Sequence, residues 1–166
     1  MPRIAIVSDS HVPDREDEIP ESFRERVADA DRVVHAGDFT SPETLDEFET
    51  LADGKLTAVF GNLDPQHLDL PAVTTLDAGG VTFVVAHGTG SHEGWADRVA
   101  DIAREEGGED AVGVAGHTHS VTDTDHDGVR LLNPGSVTGA DPAEAATMMT
   151  ADVADGELDV AVHETD

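Results

Sequence analysis

Five short apolar runs, each closed by a polar cluster drawn from the same few residue types, constrain this chain more than any other feature. The runs cover 3–8, 33–36, 56–60, 81–86 and 112–115. They end in Asp9-Ser10-His11, Gly37-Asp38, Gly61-Asn62, His87-Gly88 and Gly116-His117-Thr118-His119. A short apolar run bounded by turn formers reads as a buried strand. In α/β sheets, ligands collect beyond the carboxyl ends of the strands. Here five such ends each deliver an oxygen or an imidazole donor.

The segments between the runs complete a fold. Residues 21–30 carry helical periodicity. Ser41-Pro42-Glu43-Thr44 has the makings of a helix start, with Ser41 as the cap and Pro42 in the first position. This β-α-β-α-β opening calls for a parallel sheet. In the second half, 73–76 and 81–86 flank Gly79-Gly80 and read as a hairpin. Residues 95–106 are helical, 112–115 form a strand, and further strands follow. Gly128 breaks the first of these, and Ala154-Asp155-Gly156-Glu157 turns a last hairpin between 148–153 and 158–162. The pattern predicts an α/β chain of two packed sheets with helices outside. With no linker, repeat or low-complexity stretch, residues 1–166 read as one domain.

Composition narrows the chemistry. The absence of cysteine removes disulfides, thiolate metal sites and cysteine nucleophiles. Nothing at the N-terminus reads as a signal peptide, and no apolar stretch approaches the ~20 residues of a membrane span. A cytoplasmic location is therefore expected. Nine basic residues against 36 acidic ones give a net charge of −27, and Lys55 is the only lysine. Acids dispersed along the whole chain fit a halophilic protein, because molar salt shortens the Debye length to ~3 Å and quenches the self-repulsion. Such a surface disfavours nucleic acid, whose phosphates need basic patches.

Taken singly, the clusters have bland readings. An Asp after a strand is usually a turn former or cap, and Gly-Asn is usually a turn. Gly116-His117-Thr118-His119 is the most specific piece, since two imidazoles on one face have few structural roles. Together the clusters supply two Asp, one Asn amide and four His: Asp9, His11, Asp38, Asn62, His87, His117 and His119. Imidazole with carboxylate suits manganese, iron, zinc or cobalt better than magnesium or calcium. Seven ligands are too many for one such ion and about right for two that share a carboxylate. Two metals ~3.5–4 Å apart can clamp a phosphoryl group and activate water.

These motifs, in this order, resemble the signature of the calcineurin-like metallophosphoesterases, and in particular their small YfcE-like phosphodiesterase branch. Asp9-Ser10-His11-Val12-Pro13 and Asn133-Pro134-Gly135-Ser136 are also similar to the retromer scaffold subunit built on the same fold. The resemblance runs from about residue 3 to residue 139. It implies a four-layer sandwich of two mixed β-sheets flanked by α-helices. It implies that Asp9, His11, Asp38 and His119 hold a first divalent ion, manganese in the first instance, with iron, zinc, nickel or cobalt as alternatives. Asp38, Asn62, His87 and His117 would hold a second, with Asp38 bridging. A metal-bridging hydroxide would attack phosphorus in line, with Asn62, Asp64 and His87 in catalytic roles and Asn62 touching a phosphate oxygen.

Two positions depart from the family pattern. Many relatives carry a proton-donating His after Gly-Asn, where this chain has Leu63, and a second His after His-Gly, where it has Thr89. Asn133-Pro134-Gly135-Ser136 reads equally well as support for the site and as a structural turn. His35 reads as a residue behind the ligands or as simply buried, and His67, His92, His126 and His163 as surface residues. The expected function is a dinuclear-metal-dependent phosphodiesterase acting on a small phosphate ester. The alternative is a non-catalytic metal-binding scaffold, disfavoured because all seven ligands are kept. No membrane contact is expected, and self-association is left open.

Overall fold

The computed structural model describes residues 2–11, 19–62, 64, 70–91, 93–140, 143 and 145–165. Strand β1 (Arg3–Val7) is followed by α1 (Glu21–Asp29), β2 (Arg32–His35), α2 (Pro42–Ala52) and β3 (Leu56–Ala58). Helical crossovers return the chain to the same end of the sheet, so β1, β2 and β3 run parallel. Ser41 caps α2 as its sequence predicts: its side chain accepts from the Thr44 N–H, and Pro42 occupies the first turn.

A hairpin of β4 (Val73–Ala78) and β5 (Val81–Ala86) opens the second sheet. Then come α3 (Trp95–Gly107), β6 (Val112–Val114), β7 (Thr122–His126) and β8 (Val129–Asn133). The sequence pattern implied antiparallel strands here, yet β5, β6 and β8 run parallel. The reason is α3, a crossover that carries the chain back before β6 begins. Gly128, expected to interrupt a strand, sits in the turn between β7 and β8. The last hairpin, β9 (Ala146–Ala154) and β10 (Glu157–Thr165), returns to the first sheet, where β9 pairs antiparallel with β1.

Two mixed five-stranded sheets result, in the orders β10-β9-β1-β2-β3 and β4-β5-β6-β8-β7. Successive strand residues point to opposite faces, and the core divides accordingly. Ile4, Ile6, Val34 and Met149 meet Phe83, Val85, Val114 and Leu132 between the sheets. Ala5, Val7, Val33 and Met148 face the other way, onto Phe23, Val27, Leu45 and Phe48 of α1 and α2. Val84 and Leu131 pack under Trp95, Val99 and Ala103 of α3. Two sheets with helices outside both make the expected four layers. Among the described residues, no helix is long and apolar enough to cross a membrane.

Candidate metal centre

Every predicted cluster follows a parallel strand: β1, β2 and β3 from one sheet, β5 and β6 from the other. Backbone bonds tie the loops together, Asp9 N–H to Gly37 O, His11 N–H to Asp38 O and Gly116 N–H to His87 O. The motif glycines let them close. A Cβ on Gly61 would lie 2.2 Å from Asp38 Oδ1, and one on Gly116 would lie 1.9 Å from Ser8 Oγ and 2.4 Å from Asp9 Oδ2. Any side chain at either position would push a carboxylate out of place. Asp9, His11, Asp38, His117 and His119 all adopt positive φ, between 47° and 74°. Left-handed backbone is costly for non-glycine residues and gathers at functional sites.

Six of the seven predicted ligands converge. Asp9 Oδ1 lies 3.8 Å from His11 Nε2, 3.7 Å from His87 Nε2 and 3.4 Å from His119 Nε2. Asp38 Oδ2 lies 3.5 Å from His11 Nε2 and 3.2 Å from His87 Nε2. His11 Nε2 and His119 Nε2 are 3.2 Å apart, and His117 Nδ1 is 3.3 Å from His87 Nε2. Within this cluster two groups could each hold an ion: Asp9, His11 and His119, and Asp9, Asp38 and His87. Asp9 belongs to both groups, whereas the sequence pointed to Asp38 as the shared ligand. Asp38 nonetheless meets one imidazole from each side. Asn62 is exposed in the turn after β3, next to the glycine that touches Asp38.

Three imidazoles are locked in a definite orientation. His87 Nδ1 is 2.7 Å from Ala36 O, His119 Nδ1 is 2.9 Å from Ala140 O, and His117 Nε2 is 2.8 Å from Gly90 O. A carbonyl only accepts, so these nitrogens carry hydrogen; the opposite ones of His87 and His119 turn toward the carboxylates, and that of His117 toward His87. Metal-bound histidines are held in this way. Asp9 is prepared similarly: its Oδ2 accepts from Ser8 Oγ and from the His117 N–H, while its Oδ1 is buried without a hydrogen-bond donor. A cation would satisfy that oxygen, and it would relieve imidazole nitrogens that face one another at 3.2 Å. The donor set therefore fits a pair of divalent ions.

Electrostatics agree. Burial works against a charge on Asp9, but the imidazoles of His11, His119 and His87 outweigh it and hold its carboxyl well below the usual range. Burial also opposes a charge on His87, and Asp38 and Asp9 overcome it, lifting the imidazole to about 9. Burial lowers His117. The Asp9 carboxylate thus stays ionised in a nearly dry pocket, which attracts cations.

Other residues support the ligands. Asp64, placed by its sequence context among the catalytic residues, accepts from the backbone N–H groups of Asp38, Gly61 and Thr40 at 2.7–2.9 Å. Both its oxygens are engaged, so it orders the Asp38 turn. His35 is fully buried and stacked on Phe39, with ring centroids 3.6 Å apart. Burial drops it to about 3, so it is neutral. Its Nδ1 accepts from Gly37 N–H, and Nε2 meets Ser10 Oγ.

The Asn133-Pro134-Gly135-Ser136 turn also serves the site. Asn133 Nδ2 donates to Gly116 O and Thr118 Oγ1, and Ser136 Oγ donates to Asp9 O. Sequence reasoning missed Ser8, Trp95, Arg98 and Thr138. Trp95 Nε1 donates to Gly116 O and Thr138 Oγ1 to Ser10 O. Only Ser8, next to Asp9, had a positional signal. Leu63, His67 and His92 lie outside the described residues. His126 and His163 are half-buried rather than free on the surface, paired with Asp97 and Thr150.

Sheet-end carboxylates and imidazoles arranged for divalent ions define a metallophosphoesterase-like centre. The chain belongs to the calcineurin-like phosphoesterase superfamily, whose domain matches residues 2–156. It is 35% identical over 136 residues to a probable metallophosphoesterase of Methanothermobacter thermautotrophicus, covering 81% of this chain and 77% of that protein. Its structure is similar to that of an archaeal phosphodiesterase, at 25% identity and a TM-score of 0.73, over 97% of this chain and 99% of the other. Vps29 of Chaetomium thermophilum shares the fold, with a TM-score of 0.81 at 21% identity over 99% and 97% of the two chains.

Proposed function

We propose that this protein is a phosphodiesterase that works with two divalent ions, manganese in the first instance. The observation that carries the reading is the convergence of two carboxylates with four imidazoles, three of them pinned by backbone carbonyls. The similarity to an archaeal phosphodiesterase supports a diester as substrate. Asp9, His11 and His119 would hold an inner ion and His87, His117 and Asn62 an outer one, with Asp38 within reach of both groups. When bound, such a pair neutralises phosphoryl oxygens and makes water nucleophilic at neutral pH.

The chain's own groups do the rest. Asp9 and Asp38 fix the charge of the pocket, and Ser8 and the His117 N–H keep Asp9 Oδ1 turned inward. Carbonyls at 36, 90 and 140 aim the imidazoles. Exposure of Asn62 supports its assignment as the residue that meets a phosphoryl oxygen. Asp64 acts by position, holding the Asp38 turn through backbone N–H groups.

The purified protein, loaded with manganese, should hydrolyse aryl phosphodiesters faster than the matching monoesters. Manganese bound at two sites per chain with no turnover across both panels would instead establish the scaffold alternative. No stoichiometric binding of manganese, iron, zinc, nickel or cobalt would remove the metal reading itself.

A further inference from the structure

Arg98 stands apart among the described cations, because its guanidinium donates to three main-chain carbonyls of the residues just before its helix. It sits in the first turn of α3, ten residues after the His87-Gly88 motif. Its Nη2 donates to Ser91 O at 2.6 Å and to Gly88 O at 3.1 Å, and Nη1 reaches Glu93 O at 3.4 Å. Residues 89–91 and 93–94 are exposed, so no apolar burial holds the segment in place. Gly90 has φ of +130°, and a Cβ there would lie 3.0 Å from Arg98 Cζ: the loop is folded directly onto the guanidinium. A glycine-bearing exposed loop is ordered at high entropic cost. Charge-assisted bonds from a planar fork are what offset that cost.

The same loop carries the carbonyl that orients His117. Gly90 O takes the hydrogen on His117 Nε2, which leaves the Nδ1 lone pair facing His87 at 3.3 Å. The other two pinned histidines take their carbonyls from outside this loop. Their carbonyls belong to Ala36 and Ala140, both fully buried. We propose that Arg98 is a positioning residue for the outer half of the metal centre, setting the tautomer of His117 through residues 88–91. The inference rests on the metal reading of the site only for its consequence, since the tautomer is a property of the metal-free protein.

Nitrogen-15 correlation spectra of the histidine rings test it in metal-free protein at mildly alkaline pH. In the wild type, His117 should show hydrogen on Nε2. In Arg98→Ala it should lose that state or average between tautomers, while His119, pinned by a buried carbonyl, stays unchanged. Calorimetry with manganese should show the weaker of two ions bound about 10–100-fold less tightly, the usual scale for a group behind a ligand. Millimolar guanidinium should restore both signals. Arg104→Ala, one helical stretch further along α3 and bonded to Asp127 O, should change neither.

Wild-type His117 signals in Arg98→Ala overturn the proposal. Equal disturbance of His119 also overturns it, since Arg98 would then be merely structural. If Arg98→Ala does not fold, Arg98→Lys carries the same comparison: a point charge without the fork should give an intermediate His117 state, and unchanged signals there defeat the idea. A wild type that binds no metal would remove the proposed function and leave the tautomer result standing.

Discussion

The inner and outer halves of the metal centre are built from the same residue types and differ in their surroundings. Asp9, His11 and His119 are buried, and their loops are braced by Ser136, Thr138 and Asn133 from the core. On the outer side burial falls away from His87 through His117 to the exposed Asn62, and the brace is a surface loop held by Arg98. The difference teaches that one half is fixed by the fold and the other by local, water-exposed hydrogen bonds. Few buried contacts mean easier local opening. The inner ion should therefore be the tighter and the slower to exchange, and the outer one the more responsive to mutation and substrate.

The largest effect should come from the residue that serves both halves. Asp38→Ala should abolish binding of both ions at micromolar metal and slow diester hydrolysis by about 10³-fold or more, equivalent to about 4 kcal/mol. Retention of two ions at wild-type affinity would mean that Asp9, which also spans both groups, is the true shared ligand.

Next comes the leaving group. With Leu63 where relatives carry a proton donor, rates should fall steeply as the leaving-group pKa rises. Leu63→His should flatten that dependence and speed alkyl esters by up to about 10²-fold, the lower end of general-acid contributions. A flat dependence in the wild type, with chemistry rate-limiting, would assign the proton transfer to another group; His67 and His92 are the first to test.

The two histidines of the Gly-His-Thr-His motif sharpen the contrast further. His117→Ala should leave one ion per chain and weaken the other by at least about 10-fold, or 1.4 kcal/mol. His119→Ala should lower the affinity of both, because it removes a buried ligand beside Asp9. Identical stoichiometries for the two variants, measured by elemental analysis, would erase the distinction between the halves.

The smallest effect concerns the surface rather than the centre. With a charge of −27, added potassium chloride should relieve self-repulsion and raise the melting temperature. Each kcal/mol gained is about 2–4 °C for a chain of this size. A melting temperature that is flat or falling toward molar salt would argue against a halophilic origin.

How much of this was legible in the sequence depended on range. Strand ends were readable because an apolar run and the turn after it are neighbours in the chain. Hence Asp9, His11, Asp38, His87, His117 and His119, which the structure brings together, could be singled out in the sequence. Their braces were not, because Ser136 and Thr138 meet residues 9 and 10 across nearly the whole chain, and a serine 127 positions away carries no local signal. Arg98 carried no motif signal, because its partners are main-chain carbonyls. The parallel pairing of β5, β6 and β8 was hidden for the same reason: short strands specify their faces but not their partners. Asp64 was legible as a neighbour of the ligands but not in its role, because a carboxylate beside a ligand looks the same in sequence whether it faces substrate or backbone.

The left-handed backbone at the ligand positions bears on how this protein could drift. Each non-glycine residue there is held about 1–2 kcal/mol above its preferred conformation. Selection for stability and selection for metal binding therefore pull on the same codons in opposite directions. A library sorted for protease resistance in the presence of a chelator should accumulate glycine or asparagine at 11, 117 and 119, with sturdier and inert descendants. Sorted with manganese present, the same library should leave those positions alone and improve elsewhere. A lineage of this fold that had lost its need for the ion would thus be expected to shed its histidines through ordinary gains in stability, well before any new role arose for the surface they vacated.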